Sequence, residues 1–327
     1  MIRRRELLTL VSGTSAWPLV ARAQQPAMPS IGFLSTGSPE VFADRLRAFR
    51  QGLSEAGYVE GENVAILYRF AENQTDRLPA LAADLVRRKV AVIATGGPPA
   101  TFAAQAATAS IPITFLVADD PVRLGLAASL SRPGSNMTGI NVFNAEVAGK
   151  RLELLRDLVP GVDRIAVLAN AADAAMMETQ LRDVEMAARA MALHIKMLNA
   201  DTTGEIDAAF KAFGRERPDA VFVTTSPFLN GRRIQLAQLA AFYHLPATYA
   251  LRDYAEAGGL MSYGSNIVDG YRQVGIYVGR ILKGAKPTDL PIVQATKFEL
   301  VINSQTAHML DLIVPPSLLA IADEVIE

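Results

Sequence analysis

Short apolar runs recur along the chain, separated by longer stretches in which apolar residues return every three or four positions. The runs are Ser30 to Leu34, Val64 to Phe70, Val90 to Thr95, Ile113 to Val117, Ile165 to Ala169, His194 to Asn199, Ala220 to Thr224 and Gly259 to Tyr263. Each has strand length and is bounded by turn-forming or helical sequence, so each predicts a strand. The stretches between them, among them Val41 to Ala56, Gln74 to Arg88, Ala145 to Leu158, Ala174 to Met191 and Gly231 to Phe242, predict amphipathic helices. Continuous rather than alternating runs indicate strands covered on both faces, hence parallel sheets joined by right-handed helical crossovers. The predicted fold class is α/β.

The pattern begins twice. From Ile31 to Val117 it alternates strand and helix. After the turn-rich segment Ser131-Arg132-Pro133-Gly134-Ser135-Asn136 and a bridge through Gly139-Ile140-Asn141, it starts again at Arg164. Two similar wound units predict two lobes, with one long sheet as the alternative. Sheets of this kind bind ligands beyond the carboxyl ends of their strands. Those exits are Ser35 to Pro39, Thr95 to Pro99, Ala118 to Pro121, Asn170 to Asp173, Thr225 to Pro227 and Tyr263 to Asn266. Several place Pro where a helix would begin, with Ser, Thr, Gly or Asp before it. Such a start either caps itself or offers backbone N–H groups to a carboxylate or phosphate.

Catalytic signatures are missing. No G-x-S-x-G or H-E-x-x-H occurs, and the loop-like spacing of Gly134 and Gly139 continues with Ile140-Asn141 where a phosphate loop needs Lys-Ser/Thr. His194, His244 and His308 are scattered and read as structural or surface residues, with no metal-ligand spacing. In Asp119-Asp120-Pro121, Asp120 reads as a helix cap and Asp119 as a ligand contact. Tyr249 and Tyr263 fall at or beside strand ends, where a ring can stack on a ligand or simply pack. Nothing calls for a cofactor or a metal.

The N-terminus changes the picture of where the protein works. Arg3, Arg4 and Arg5 precede a mostly apolar stretch from Leu7 to Val20 that contains Pro18, and Ala21-Arg22-Ala23 follows. This is the layout of a cleaved export signal, residues 1–23, by either the twin-arginine or the general secretory route. The whole chain has 32 basic and 33 acidic residues, and cleavage after Ala23 removes four arginines and Glu6, leaving a net charge of −4. A mildly acidic chain without a basic block is a poor partner for nucleic acid or an anionic membrane. With no cysteine there is no disulfide, no thiolate chemistry and no lipidated anchor of the usual kind, so a freely diffusing periplasmic protein is expected.

Several segments resemble the substrate-binding proteins of ABC transporters that include the bacterial tryptophan- and tyrosine-type binders. They are Ala118-Asp119-Asp120-Pro121-Val122, residues 130–139 (LSRPGSNMTG), residues 257–264 (AGGLMSYG), residues 279–292 (GRILKGAKPTDLPI) and the final stretch 297–327. The resemblance spans essentially the whole mature chain. Ser135 and Met137 stand where the family signature has Gly and Val. Gly96-Gly97-Pro98-Pro99 and Asp119-Asp120-Pro121 replace segments typical of the aromatic amino-acid binders, so Asp119 adds a carboxylate that could meet an amino group, a cation or a polar ligand.

The resemblance implies a type I periplasmic binding-protein fold, two Rossmann-like lobes joined by three hinge crossovers that close on a small polar, amino-acid-like or aromatic ligand. The expected lobes are 29–140 with 249–290, and 141–248 with 291–327. Hinges are expected near Gly139 to Asn141, Pro246 to Tyr249 and Leu290 to Ala295. Ligand contacts are expected from Ser35, Thr36, Thr95, Gly96, Gly97 and Asp119 in the first lobe, Asn170, Ala171 and Ser226 in the second, and Tyr249 and Tyr263 near the crossover. The implied partners are the ligand and an ABC permease with its ATPase, with the protein itself a monomer. A periplasmic sensor working through a signalling partner is the alternative, and an enzyme on the same cleft is disfavoured by the missing motifs.

Overall fold

The buried runs assemble into two sheets. The structure, a computed structural model, describes residues 28–40, 42–142, 147–170, 174–295 and 298–327. The expected export signal and Ala171 lie outside these residues. In the first sheet β1 (Ser30–Ser35), β2 (Ala65–Phe70), β3 (Val92–Gly96), β4 (Ile113–Val117), β5 (Met137–Asn141) and the short β11 (Val293–Gln294) run in the order β11-β5-β4-β3-β1-β2, with every pair parallel. All residues of β3, β4 and β5 are buried, as strands covered on both faces must be.

The second sheet contains β6 (Arg164–Ala169), β7 (His194–Asn199), β8 (Ala220–Val223), β9 (Ala247–Tyr249), β10 (Met261–Ser265), β12 (Phe298–Asn303) and β13 (Glu324–Ile326). Its order is β13-β12-β10-β9-β8-β6-β7, and β10 with β12 is its one antiparallel pair. The α/β class and the two wound units are therefore as expected, and the single-sheet alternative is excluded. No helix among the described residues is long and apolar enough to cross a membrane.

The division between lobes differs from expectation in two respects. The segment from Tyr249 to Ser265 was expected in the first lobe, yet β9 pairs with β8, and β10 with β9 and β12, so this segment belongs to the second sheet. The return to the first lobe begins with α10 (Ile267–Leu282), which packs along α1 (Ala43–Glu55). It ends with β11, which pairs with β5, so residues 291–295 also stay with the first sheet. The chain thus crosses between Val142 and Val147, at Asn266, and between Ala295 and Phe298. The expected hinge at Pro246 to Tyr249 is not a crossing, because β9 is an interior strand of the second sheet. Two crossings are tied together, since the Ser265 hydroxyl donates to the Val142 carbonyl.

Glycine makes the α1–α10 pairing possible. A Cβ on Gly52 would overlap the Arg272 carbonyl, and one on Gly275 would overlap the Phe49 carbonyl, so the two helices meet backbone to backbone. Above them Phe33, Phe42, Phe49, Tyr68, Phe70 and Tyr271 form one aromatic cluster on the face of the first sheet. The second lobe buries apolar residues on both faces of its sheet too, but one of its cores contains a charge. Arg151, in α4 (Ala148–Leu158), is fully buried with its guanidinium 4.4 Å from the centroid of the Phe222 ring.

Candidate ligand-binding site

Strand exits from both sheets face one another across a cavity of about 730 Å³, its mouth included. The first lobe lines it with Ser35 to Gly37 after β1, Asn73 after β2, Gly96 to Pro98 after β3, and Leu116 and Ala118 at the end of β4. Phe42 and Arg45 of the α1 region, Val142, and Ile267 and Tyr271 of α10 complete that side. The second lobe supplies Thr225 to Pro227, Asn230, Gly231 and Leu251. The placement follows the rule for open α/β sheets, because the chain must turn from strand to helix at these ends and leaves small polar residues there.

The lobes touch around the cavity. Arg45 and Asp253, in α9 (Arg252–Glu256), form an ion pair of 3.0 Å that joins the lobes, with side chains 7% and 19% exposed. Arg45 also lies over the Phe42 ring, 5.0 Å from its centroid. A Cβ built on Gly97 would sit 3.5 Å from the Pro227 ring, and one on Gly231 3.5 Å from Asn73 Oδ1, so backbone of each lobe approaches side chains of the other. Gly97 has φ of +84°, a conformation that itself favours glycine.

Polar groups at the cavity differ in how they are satisfied. Ser35 Oγ accepts from the Gly37 N–H at 3.3 Å, and Ser226 Oγ caps α7 (Pro227–Gly231) by accepting from the Leu229 N–H at 3.1 Å. Thr36 Oγ1, Thr225 Oγ1 and Asn73 Oδ1 are buried with no partner. The Thr225 backbone, by contrast, is fixed from both sides, its N–H donating to Gln180 Oε1 at 2.7 Å and its carbonyl accepting from Gln180 Nε2 at 2.9 Å. Buried hydroxyls without partners cost free energy unless something fills the site. The Tyr271 hydroxyl occupies the space a Cβ on Gly96 would need, and burial pushes its pKa up to about 12 while Arg45 pulls the other way. It stays protonated at neutral pH.

The structure brings together only part of the expected set. Ser35, Thr36, Gly96, Gly97 and Ser226 line the cavity. Thr95 does not, because its hydroxyl is 2.8 Å from that of Thr101, which in turn donates to the Gly97 carbonyl and builds the turn. Asp119 is buried beside the lining residue Ala118 without being part of the lining. Asn170 joins the ends of β6 and β7, donating to the Ala200 carbonyl at 3.2 Å and to Asp201 Oδ1 at 2.6 Å. Tyr249 is fully buried against Tyr254, ring centroids 4.3 Å apart, and burial raises its pKa. Tyr263 stacks on Phe298 at 6.1 Å, outside the cavity.

Sequence reasoning missed Asn73, Phe42, Arg45, Tyr271, Asn230 and Leu251. Asn73 was within reach, since Ala71-Glu72-Asn73 is the exit of β2 and the strand-exit rule applied there would have found it. Expected helix-start anion sites fare less well. Pro98 and Pro99 remove two N–H groups from the start of α3 (Pro98–Ala107), and α7 spans five residues with its first turn already capped. No group of His, Cys, Asp or Glu among the described residues could hold a metal ion.

Comparison with known proteins agrees with this architecture. The family model for ABC transporter substrate binding proteins matches residues 40–326. A tyrosine-binding protein of Clostridioides difficile (strain R20291) is 25% identical over 270 residues, covering 81% of this chain and 76% of that protein. Among solved structures, an ABC domain in complex with L-Trp from Streptococcus pneumonia superposes with a TM-score of 0.84 at 25% identity, covering 91% of this chain and 99% of the other. A conserved domain protein from Vibrio cholerae gives 0.84 at 24% identity, with the same coverage. The fold is that of the type I periplasmic binding proteins, and the family is one of solute-binding proteins rather than enzymes. With the family model matching nearly the whole described chain, this protein belongs to the ABC transporter substrate-binding protein family.

Proposed function

We propose that the protein is the extracytoplasmic receptor of an ABC importer, which takes a small amino-acid-like or aromatic ligand between its lobes and delivers it to a membrane permease and its ATPase. The observation that carries this reading is the interlobe cavity, with unpartnered hydroxyls from both lobes, Thr36 and Thr225, set among apolar side chains. A ligand bridging them favours the closed state by the contacts it makes only there. The crossing at Asn266 serves as a hinge, and the permease reads the closed state. The ligands in the names of the relatives, tyrosine and L-Trp, support a ligand with an aromatic body. Export fits the arginine-led N-terminus, and a monomer with a net charge of −4 suits free diffusion in the periplasm.

The test is a thermal-shift screen of the chain from Gln24 onward against amino acids, aromatic acids, polyamines, ureas and sugars. A ligand at about 100 times its Kd adds roughly 2.7 kcal/mol of stability, a shift of several degrees. One saturable class of ligands is expected. A protein free of bound ligand that responds to nothing in the panel would contradict the reading. N-terminal sequencing of the extracytoplasmic fraction should begin near Gln24, whereas retention of Arg3 to Arg5 in the cytoplasm would contradict export.

A further inference from the structure

The cavity has a charge preference. Among its described lining residues there is no Asp and no Glu, and the one ionised side chain is Arg45. The partner of Arg45, Asp253, stands outside the lining. An α-ammonium placed here would lose its water without meeting a carboxylate, a costly transfer for a cation. Asp119, the acid the sequence offered for that role, is outside the lining as well.

The groups that do face the cavity suit the opposite charge. Helices α1, α3 and α10, of 13, 10 and 16 residues, all begin at it, and Phe42, Pro98 and Ile267 at their starts are lining residues. Their aligned peptide dipoles present positive ends to this space. Asp44 and Asp269 offset part of that field in the first turns of α1 and α10; α3 has no acid in its first turn, but Pro98 and Pro99 leave it two N–H groups short, so it adds field rather than hydrogen bonds. Thr36 and Thr225 are 4% and 5% exposed, line the cavity from opposite lobes and have no hydrogen-bond partner, so each has an O–H to give. Around them Phe42, Leu116, Val142, Leu251, Ile267 and Tyr271 form an apolar wall. Asn73 Oδ1, also without a partner, is free to accept a hydrogen bond.

We propose that this cavity selects an aromatic monocarboxylate without an α-ammonium group, its carboxylate held between the hydroxyls of Thr36 and Thr225 and its ring against the apolar wall. The inference deepens the receptor reading and rests on it. Four compounds with one 4-hydroxyphenyl skeleton separate the charges: 3-(4-hydroxyphenyl)propionate, its neutral amide, L-tyrosine and tyramine. Calorimetric titration of the purified exported protein is expected to give the propionate at least tenfold tighter binding than L-tyrosine, weaker binding of the amide and none of tyramine. Thr36→Val and Thr225→Val are each expected to weaken propionate binding about tenfold while leaving the melting temperature of the free protein within about a degree. Hydroxyls that have no partner leave nothing unpaired when removed.

Binding of L-tyrosine or tyramine as tight as that of the propionate would overturn the inference and leave the receptor reading standing. So would a ligand of another chemical class from the broader screen that binds, and loses affinity in the two valine variants, while none of the four compounds binds. If the valine variants bind the propionate like the parent, the carboxylate contact assigned here is wrong. Silence across both the four compounds and the broader screen would overturn the receptor reading together with the inference.

Discussion

The two lobes bring different material to the cavity. The first contributes four strand exits and two aromatic rings, and behind them α1 and α10 are locked backbone to backbone at Gly52 and Gly275. The second contributes the short α7 region, Thr225 to Gly231, and Leu251. Its core also contains a fully buried guanidinium, Arg151, whose three nitrogens have no hydrogen-bond partner. The first lobe is therefore a preformed half-site with rigid backing. On the proposed closure the second is a cover, whose contacts with ligand and with Arg45 would be made only when the lobes close. In such a design the first lobe receives the body of the ligand, while the second adds Thr225 to the polar contacts and sets how long the ligand stays.

The largest expected effect comes from separating the helices behind the half-site. Gly275→Ala should cost about 3 kcal/mol or more, because the new methyl meets the Phe49 carbonyl, and backbone yields less readily than a side chain. A fall in melting temperature of roughly 6–10 °C, with loss of ligand binding, is the readout. Gly204→Ala in the second lobe is the control. Its Cβ meets nothing within 4 Å, so stability should change by no more than about 0.5 kcal/mol. Equal losses in the two variants would remove the contrast between rigid and permissive backing.

Arg151→Met comes next and should raise stability, by about 1–2 kcal/mol, since a buried charge without hydrogen-bond partners, set against the Phe222 ring, is replaced by an apolar chain of similar reach. Burial lowers the guanidinium's pKa from 12.5 to about 9 in the folded protein. Below pH 9 it is charged in both states and the burial cost is fully present. Between about 9 and 12.5 the unfolded chain binds the extra proton, so this group's contribution to stability rises with pH. Chemical denaturation at several pH values should show the parent gaining on the Met variant above pH 9. A variant that melts lower than the parent at neutral pH would show that the guanidinium is stabilised in the second lobe after all.

Breaking the ion pair between the lobes should act on the cover alone. Asp253→Asn is expected to cost the closed state about 1 kcal/mol and to speed ligand release roughly fivefold, with the association rate unchanged, as read by stopped-flow binding. A change confined to association would assign the pair to the open state instead. The smallest effect is expected at Tyr263. Its ring packs on Phe298 outside the cavity, so Tyr263→Phe should leave ligand affinity within about twofold in a calorimetric titration. A larger loss would bring Tyr263 back into the site.

Much of the scaffold was legible because its strands carry their own signal. β1, β3, β4, β6 and β8 are short apolar runs, and parallel sheets bury such runs on both faces. β9 has three residues and no pattern of its own, so Ala247 to Tyr249 read as a connection rather than a strand. That one omission moved a lobe boundary. β5 lay hidden in the signature around Gly139, which read as a bridge.

Of the site, the residues that follow a strand in sequence were readable, namely Ser35, Thr36, Gly96, Gly97 and Ser226. Arg45 and Tyr271 were not, since they reach the cavity from helices whose facing is set only when α1 meets α10. Tyr249 shows the converse: position at a strand end fixes where the backbone goes, while the side chain follows the pleat into the core, and Asp119, just past the end of β4, is buried outside the cavity lining.

The central claim is that ligand holds the two lobes together, and one distance tests it most directly. Glu40 of the first lobe and Ile234 of the second are both exposed on the same mouth between the lobes. Because the chain has no cysteine, spin labels at Glu40→Cys and Ile234→Cys are the only ones present. Pulsed electron–electron resonance, with and without the panel compound that gives the largest thermal shift, should show a broad or longer distribution narrowing to one short distance on binding. The same distribution in both samples would contradict ligand-driven closure.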